Sequence, residues 1–188
     1  MLTEKIYYYQ TDERFISRSF GMTLFRLIET TRKKQKKKSV VFLCIGSDRS
    51  TGDSLGPLVG YKLKCLCKEK SNAEIRILGT LSNPVHALNL EEYLEKVEKF
   101  YADCVVVAID ASIGEEDHIG YLTLGLGSLK PGLGVSKDLT SVGDVFITGI
   151  VGSKYSFEPF MLQSIRLSLV MQMADCISQG IYFVGNFW

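Results

Sequence analysis

Apolar residues fall along this chain in two alternating rhythms. The run SVVFLCIG (39–46) is continuously apolar and β-branched, as expected of a strand buried on both faces of a parallel sheet. LGPLVGYKLKCLC (55–67) then begins a helix, with Pro57 in the first turn, where its missing N–H costs nothing. The rhythm repeats. AEIRILGT (73–80) alternates as a strand, ALNLEEYLEKVEKF (87–100) has helical spacing, and DCVVVAID (103–110) reads as a second buried strand. Ahead of these, Phe15, Phe20, Leu24, Leu27 and Ile28 recur at helical intervals, which predicts an N-terminal helical segment over about 12–38. After Asp110 the chain turns glycine-rich, predicting a strand or hairpin and then a long loop. GDVFITGIV (143–151) is a further strand, and 157–180 a long helix with Leu162, Ile165, Leu169, Met173 and Cys176 on one face. Strands alternating with helices predict one α/β domain over 1–188, with a mostly parallel sheet and right-handed crossovers.

Composition narrows the function classes. The 188 residues are 46% hydrophobic, enough for a sizeable core, and a net charge of +1 gives no global attraction to nucleic acid or membrane. The basic run RKKQKKK (32–38) lacks interleaved aromatics and reads as a solvated helix end whose cations suit the negative end of the dipole. Five scattered cysteines without CxxC spacing read as reduced thiols, and no signal peptide or membrane span is evident, so a cytoplasmic protein is expected. The C-terminal IYFVGNFW must pack its aromatics on the core or on a second subunit, which raises a homodimer as an expectation.

The chemistry centres on GSDRSTGDSLGP (46–57). It has the look of a phosphate-binding loop between strand and helix, but five residues separate Gly46 from Gly52, and Asp53 stands where a P-loop needs lysine. A carboxylate there repels phosphate. Asp53 follows the first strand of the alternating series and Asp110 closes the third, and ligands of open α/β sheets bind at the carboxyl ends of strands. If those strands are neighbours, the carboxylates converge, their pKa values separate, and the pair supplies an acid and a base or captures a cation. The alternative for Asp53 or Ser54 is capping of the helix that follows. Asp48 and Arg49 read as a surface ion pair, and His118 in EEDHIG as a solvated loop residue. His86 in NPVHAL is either a helix-entry residue or a hydrogen-bonding group in the same crevice as Asp53.

GSDRSTGDSLGPLVGYKL, NPVHALNL, VVAIDAS, LKPGLGVSKDL and VGDVFITGIV together resemble the YyaC-type sporulation proteins, from about residue 15 to residue 181. The resemblance implies the three-layer α/β/α sandwich of the phosphorylase/hydrolase-like class, shared with the spore germination protease and the hydrogenase maturation endopeptidases. GDSLGP and AIDAS match the acidic motifs taken as catalytic in the germination protease, which carries that role to Asp53 and Asp110. PGLGV resembles its downstream glycine loop, which brings in Gly132 and Gly134. The hydrogenase endopeptidases add a histidine farther along to bind nickel. Neither the glycine loop nor the strand after it contains one here, so no tight nickel or zinc site is expected. A divalent cation held by Asp53 and Asp110 would bind weakly through oxygen.

Two function classes follow. One is a hydrolase, a peptidase by resemblance, in which one aspartate activates water and the other donates a proton, with Lys130, Lys137 and loop N–H groups supporting the oxyanion. Each lysine taken singly reads first as a solvated side chain. The other is a catalytically silent sporulation protein that binds a peptide or protein partner in the same cleft. Unpaired carboxylates in an apolar cleft would favour the enzyme, and salt bridges filling it the binding protein.

Overall fold

The computed structural model describes residues 5–67, 75–132, 140–155 and 161–185. In chain order its elements are β1 (Tyr7–Gln10), α1 (Ile16–Gln35), β2 (Ser39–Cys44), α2 (Leu55–Leu66), β3 (Ile75–Leu78), α3 (Leu90–Phe100), β4 (Cys104–Gly114), β5 (Tyr121–Leu126), β6 (Val145–Ser153), α4 (Met161–Ser164) and α5 (Leu167–Val184). Single 3-10 turns occupy Gly52–Ser54 and Glu116–His118.

The six strands form one sheet in the order β1-β5-β6-β4-β2-β3. β3, β2, β4 and β6 run parallel, as the alternation predicts. β5 is antiparallel to β6, and β1 antiparallel to β5. Val40, Phe42 and Cys44 of β2 and Val105, Val107 and Ile109 of β4 pack in the main core with α1, α2 and α5. The alternate residues Leu43 and Ala108 pack on the other face against Leu90 and Tyr93 of α3. Period-two alternation thus feeds two cores, and the continuous apolar runs are explained by burial on both sides. The chain leaves β2 toward β3 on one side and returns by α3 to β4 on the other. The order therefore reverses beside β2, and a crevice opens between the carboxyl ends of β2 and β4.

Four expectations are corrected. β4 runs four residues beyond Asp110, to Gly114, because Ala111–Gly114 keep pairing with β6 after β2 has ended. The long C-terminal helix is broken: the chain is extended at Arg166, α4 lies over the Gly52–Ser54 turn, and α5 packs against α1 and α2. The first four residues of the predicted 157–180 helix, 157–160, lie outside the described residues. β1, four residues at the sheet edge, was not anticipated. The basic run is less idle than a solvated helix end, since Lys37 reaches Asp144 at 2.8 Å and Arg32 pairs with Glu29 at 2.9 Å and donates to the Lys38 carbonyl. α5 is long and apolar enough to cross a membrane by length and composition, and half of that window is buried within this fold.

Candidate functional site

The site begins with a close approach between helix and strand. A Cβ on Gly56 would stand 2.0 Å from the Ile45 carbonyl oxygen, so only glycine lets the first turn of α2 settle on the end of β2. Gly46 has φ 137°, a left-handed conformation, and donates its N–H to the Val85 carbonyl at 2.7 Å. The chain from Gly46 then doubles back. Ser47 N–H donates to the Asp53 carbonyl at 3.0 Å, Asp53 N–H to the Ser50 carbonyl at 3.1 Å, and the Ser54 hydroxyl to the Thr51 carbonyl at 2.7 Å. A cross-tied loop of this kind carries Asp53 over the crevice.

Asp110 arrives from below. β2 ends at Cys44, opposite Ile109, and the last bond of that ladder is Ile45 N–H to the Ile109 carbonyl at 2.7 Å. One residue on, Asp110 has passed the end of β2 while still pairing with Thr148 of β6. It is 5% exposed. Its Oδ1 accepts the Ala111 N–H at 2.8 Å, and its Oδ2 the Gly132 N–H at a long 3.4 Å.

Both aspartates line one cavity of about 350 Å³. Burial pushes the Asp53 carboxyl up to about 6, against a smaller opposing effect from the Ser47 N–H. Burial also holds Asp110 well above the ordinary carboxylate range, the Asp53 charge adds to the rise, and the Ala111 and Gly132 N–H groups oppose it. Among the described residues neither carboxyl takes part in an ion pair. Both carboxyls are thus raised by burial, and the more buried one also faces the charge of the other.

Capping does not account for Asp53, since neither the 3-10 turn nor α2 has a side-chain capping bond. Ser54 is buried, spends its hydroxyl within its own turn, and is not in the cavity wall. His86 does line the cavity. Its backbone N–H donates to Asn89 Oδ1 at 2.8 Å and its Nδ1 accepts the Leu88 N–H at 3.3 Å. It is both a helix-entry residue and a wall residue. Gly132 lines the cavity, while Lys130 is exposed and outside the wall. Gly134 and Lys137 lie outside the described residues.

His118 is not the solvated loop residue expected. Its ring lies between those of Tyr8 and Tyr121, 5.1 Å from each centroid, because the unanticipated β1 brings Tyr8 across. Nor do Asp48 and Arg49 pair. Arg49 instead lines the cavity, together with Ser47 and Ser50 from the same loop and Leu162 and Gln163 from α4. Leu88, 80% exposed, adds an apolar wall residue that is open to solvent. Sequence reasoning missed Ser47, Ser50, Leu162 and Gln163. The serines sat in the quoted loop, whereas nothing local marks the α4 residues, which reach the site by tertiary packing. Among the described residues no three His, Cys, Asp or Glu side chains converge as a metal-ligand set.

Three comparisons bear on this arrangement. The sequence profile of the family described as "Protein of unknown function (DUF1256)" matches residues 8–180. The "Uncharacterized protein YyaC" of Bacillus subtilis (strain 168) is 44% identical over 155 residues, covering 82% of this chain and 74% of that protein. Among solved structures, the [NiFe] hydrogenase maturation protease HycI from Thermococcus kodakarensis KOD1 superposes with a TM-score of 0.51 at 23% identity, covering 80% of this chain and 94% of that one. That last likeness establishes a shared mixed α/β fold, a sheet flanked by helices.

Proposed function

The chain belongs to the DUF1256 family, and we propose that within it the Asp53–Asp110 cavity is a hydrolytic site acting on peptide bonds. The observation that carries the reading is the pair of carboxyls in one cavity, both raised by burial and neither neutralised by a cation among the described residues. Asp53, raised to about 6, is mostly ionised near neutral pH and serves as general base. It takes a proton from water, whose oxygen forms a bond to the peptide carbonyl carbon. Asp110, the more deeply buried group, holds a proton and delivers it to the departing amide nitrogen as the C–N bond breaks. The proton on Asp53 then returns to solvent and Asp110 is reprotonated, which restores the starting state.

The likeness to a maturation protease supports the peptidase class through the fold alone. A setting in sporulation rests on the sequence resemblance alone. The competing reading, a silent peptide-binding protein, would be better served by ion pairs filling the cleft, and neither aspartate has one among the described residues.

The test is cleavage of fluorescein-labelled casein and of a peptide library by the wild-type protein, Asp53→Asn and Asp110→Asn. Loss of a general acid or base typically costs about 10²- to 10⁴-fold in rate, so both variants should fall to background. Full activity of Asp110→Asn refutes the two-carboxyl mechanism. A wild-type protein that retains library peptides without cleaving any shifts the assignment to the binding protein.

A further inference from the structure

Three serines stand in or beside the loop that carries Asp53, and two of them spend their hydroxyls at home. Ser47 Oγ accepts the Arg49 N–H at 3.2 Å, and Ser54 Oγ donates to the Thr51 carbonyl at 2.7 Å. This is the usual use of serine in a tight turn, where the side chain satisfies nearby backbone. Ser50 departs from it. Among the described residues its Oγ is the buried side-chain polar atom without a hydrogen-bond partner.

The orphan does not lie in a random part of the core. Ser50 forms part of the wall of the cavity that holds Asp53 and Asp110. Its backbone is fixed, because its carbonyl accepts the Asp53 N–H and the loop is closed by the Ser47-to-Asp53 bond. The loop cannot readily peel away to hydrate the hydroxyl. The Oγ is itself covered, so reaching a ligand in the cavity takes a turn about χ1 to another of its staggered positions. The cavity whose wall Ser50 helps to form is the place such a partner would occupy, and an unsatisfied buried group beside a cleft calls for an explanation.

We infer that the Ser50 hydroxyl is a substrate-contact group that hydrogen-bonds the main chain of a peptide lying across Asp53 and Asp110. A hydroxyl both donates and accepts, so it matches either polar group of an uncharged peptide unit. It adds no charge to a cavity that already holds two carboxyls. A cation would be recognised by those carboxyls and would leave Ser50 as it is. The inference rests on the peptide-directed reading of the cavity and specifies which residue outside the aspartate pair holds the ligand.

Ser50→Ala tests it, because alanine removes the orphan and creates no cavity of consequence. With fluorescein-labelled casein as probe, the variant should show KM raised about 3- to 10-fold, the loss expected for one neutral hydrogen bond, with kcat little changed. Its thermal midpoint should equal or exceed that of the wild type. If the wild type cleaves casein and Ser50→Ala does so with the same KM, the contact is refuted while the hydrolytic reading stands. A midpoint several degrees lower would show that the hydroxyl has a structural partner, and would also refute the contact. If nothing is cleaved, binding to an immobilised array of random dodecapeptides separates the two ideas. Spots lost in Ser50→Ala would keep the contact and discard hydrolysis, and spots unchanged or absent would discard both.

Discussion

Replacing Asp53 by asparagine should stabilise the protein near neutral pH and leave its stability almost unchanged in acid. Burial raises the Asp53 carboxyl from 3.8 to about 6. The folded state therefore holds that proton more tightly than the unfolded chain. Stability linked to this group is fully present below about pH 4, falls as the pH rises through about 6, and is flat above. A shift of two units corresponds to about 3 kcal/mol, and Asp53 is partly open to the cavity, so solvent screening reduces this to roughly 1–3 kcal/mol. For a chain of this size each kcal/mol moves Tm by about 2–4 °C, giving an expected gain of roughly 3–10 °C at pH 7.5. Asparagine keeps the shape and an acceptor for the Ser47 N–H. Its neutrality also removes the charge that lifts Asp110. The assay is a pair of thermal melts, at pH 4.0 and pH 7.5, for wild type and Asp53→Asn. A capping role would instead cost about 1 kcal/mol at neutral pH. A variant less stable than wild type at pH 7.5, or a difference equal at the two pH values, refutes the buried-charge argument.

Two further substitutions test the frame of the site. Gly56→Ala puts a methyl 2.0 Å from the Ile45 carbonyl oxygen and forces α2 off β2; overpacking of this kind should cost about 3 kcal/mol, read as a lowered urea midpoint, and should reduce casein cleavage by displacing Asp53. Asp144 should show the opposite pH dependence to Asp53. Burial alone would raise it, but the Lys37 ammonium, the Val106 N–H and Gln35 together hold it below 3.8, so its contribution is present at neutral pH and lost as the pH falls through that lowered value. Asp144→Asn should therefore lose about 1–3 kcal/mol at pH 7 and converge on wild type in strong acid, as followed by denaturant melts; an acid-insensitive deficit would refute it.

The parallel core of the fold was legible because its signals are local. β2 and β4 are buried on both faces, and a run such as SVVFLC admits few other readings. The meeting of Asp53 and Asp110 was legible for a related reason: each lies just past an apolar run, and only the adjacency of the two strands had to be supplied. Other features leave no such trace. β1 is four residues, YYYQ, too short for alternation to distinguish it from a loop, yet it places Tyr8 against His118. The extension of β4 through ASIG carries small and polar residues because it pairs beyond the end of β2, where no apolar run is required. The break at Arg166 is tertiary in origin. Leu162 would stand 2.8 Å from a Cβ on Gly52, so α4 packs on the Asp53 turn, while beyond the extended Arg166 α5 packs on α1 and α2.

The same geometry bears on how an oxyanion would be stabilised. The sequence reading put oxyanion support on Lys130, Lys137 and the N–H groups of the glycine loop, but Lys130 is exposed and outside the cavity wall, and the Gly132 N–H is turned to Asp110. The Gly46 N–H is committed to the Val85 carbonyl and the Ser47 N–H to the Asp53 carbonyl. Donors in the described wall include the Arg49 guanidinium, on the loop that carries Asp53, and the Gln163 amide of α4. Asp53 and Arg49 would then move as one body, held by the cross-ties within that loop. The acid would stand apart on the rigid sheet. On the proposed mechanism a substrate carbonyl placed between them would meet groups whose spacing depends on the contact of Gly56 with Ile45, so the helix–strand approach at that glycine would serve the chemistry as well as the packing.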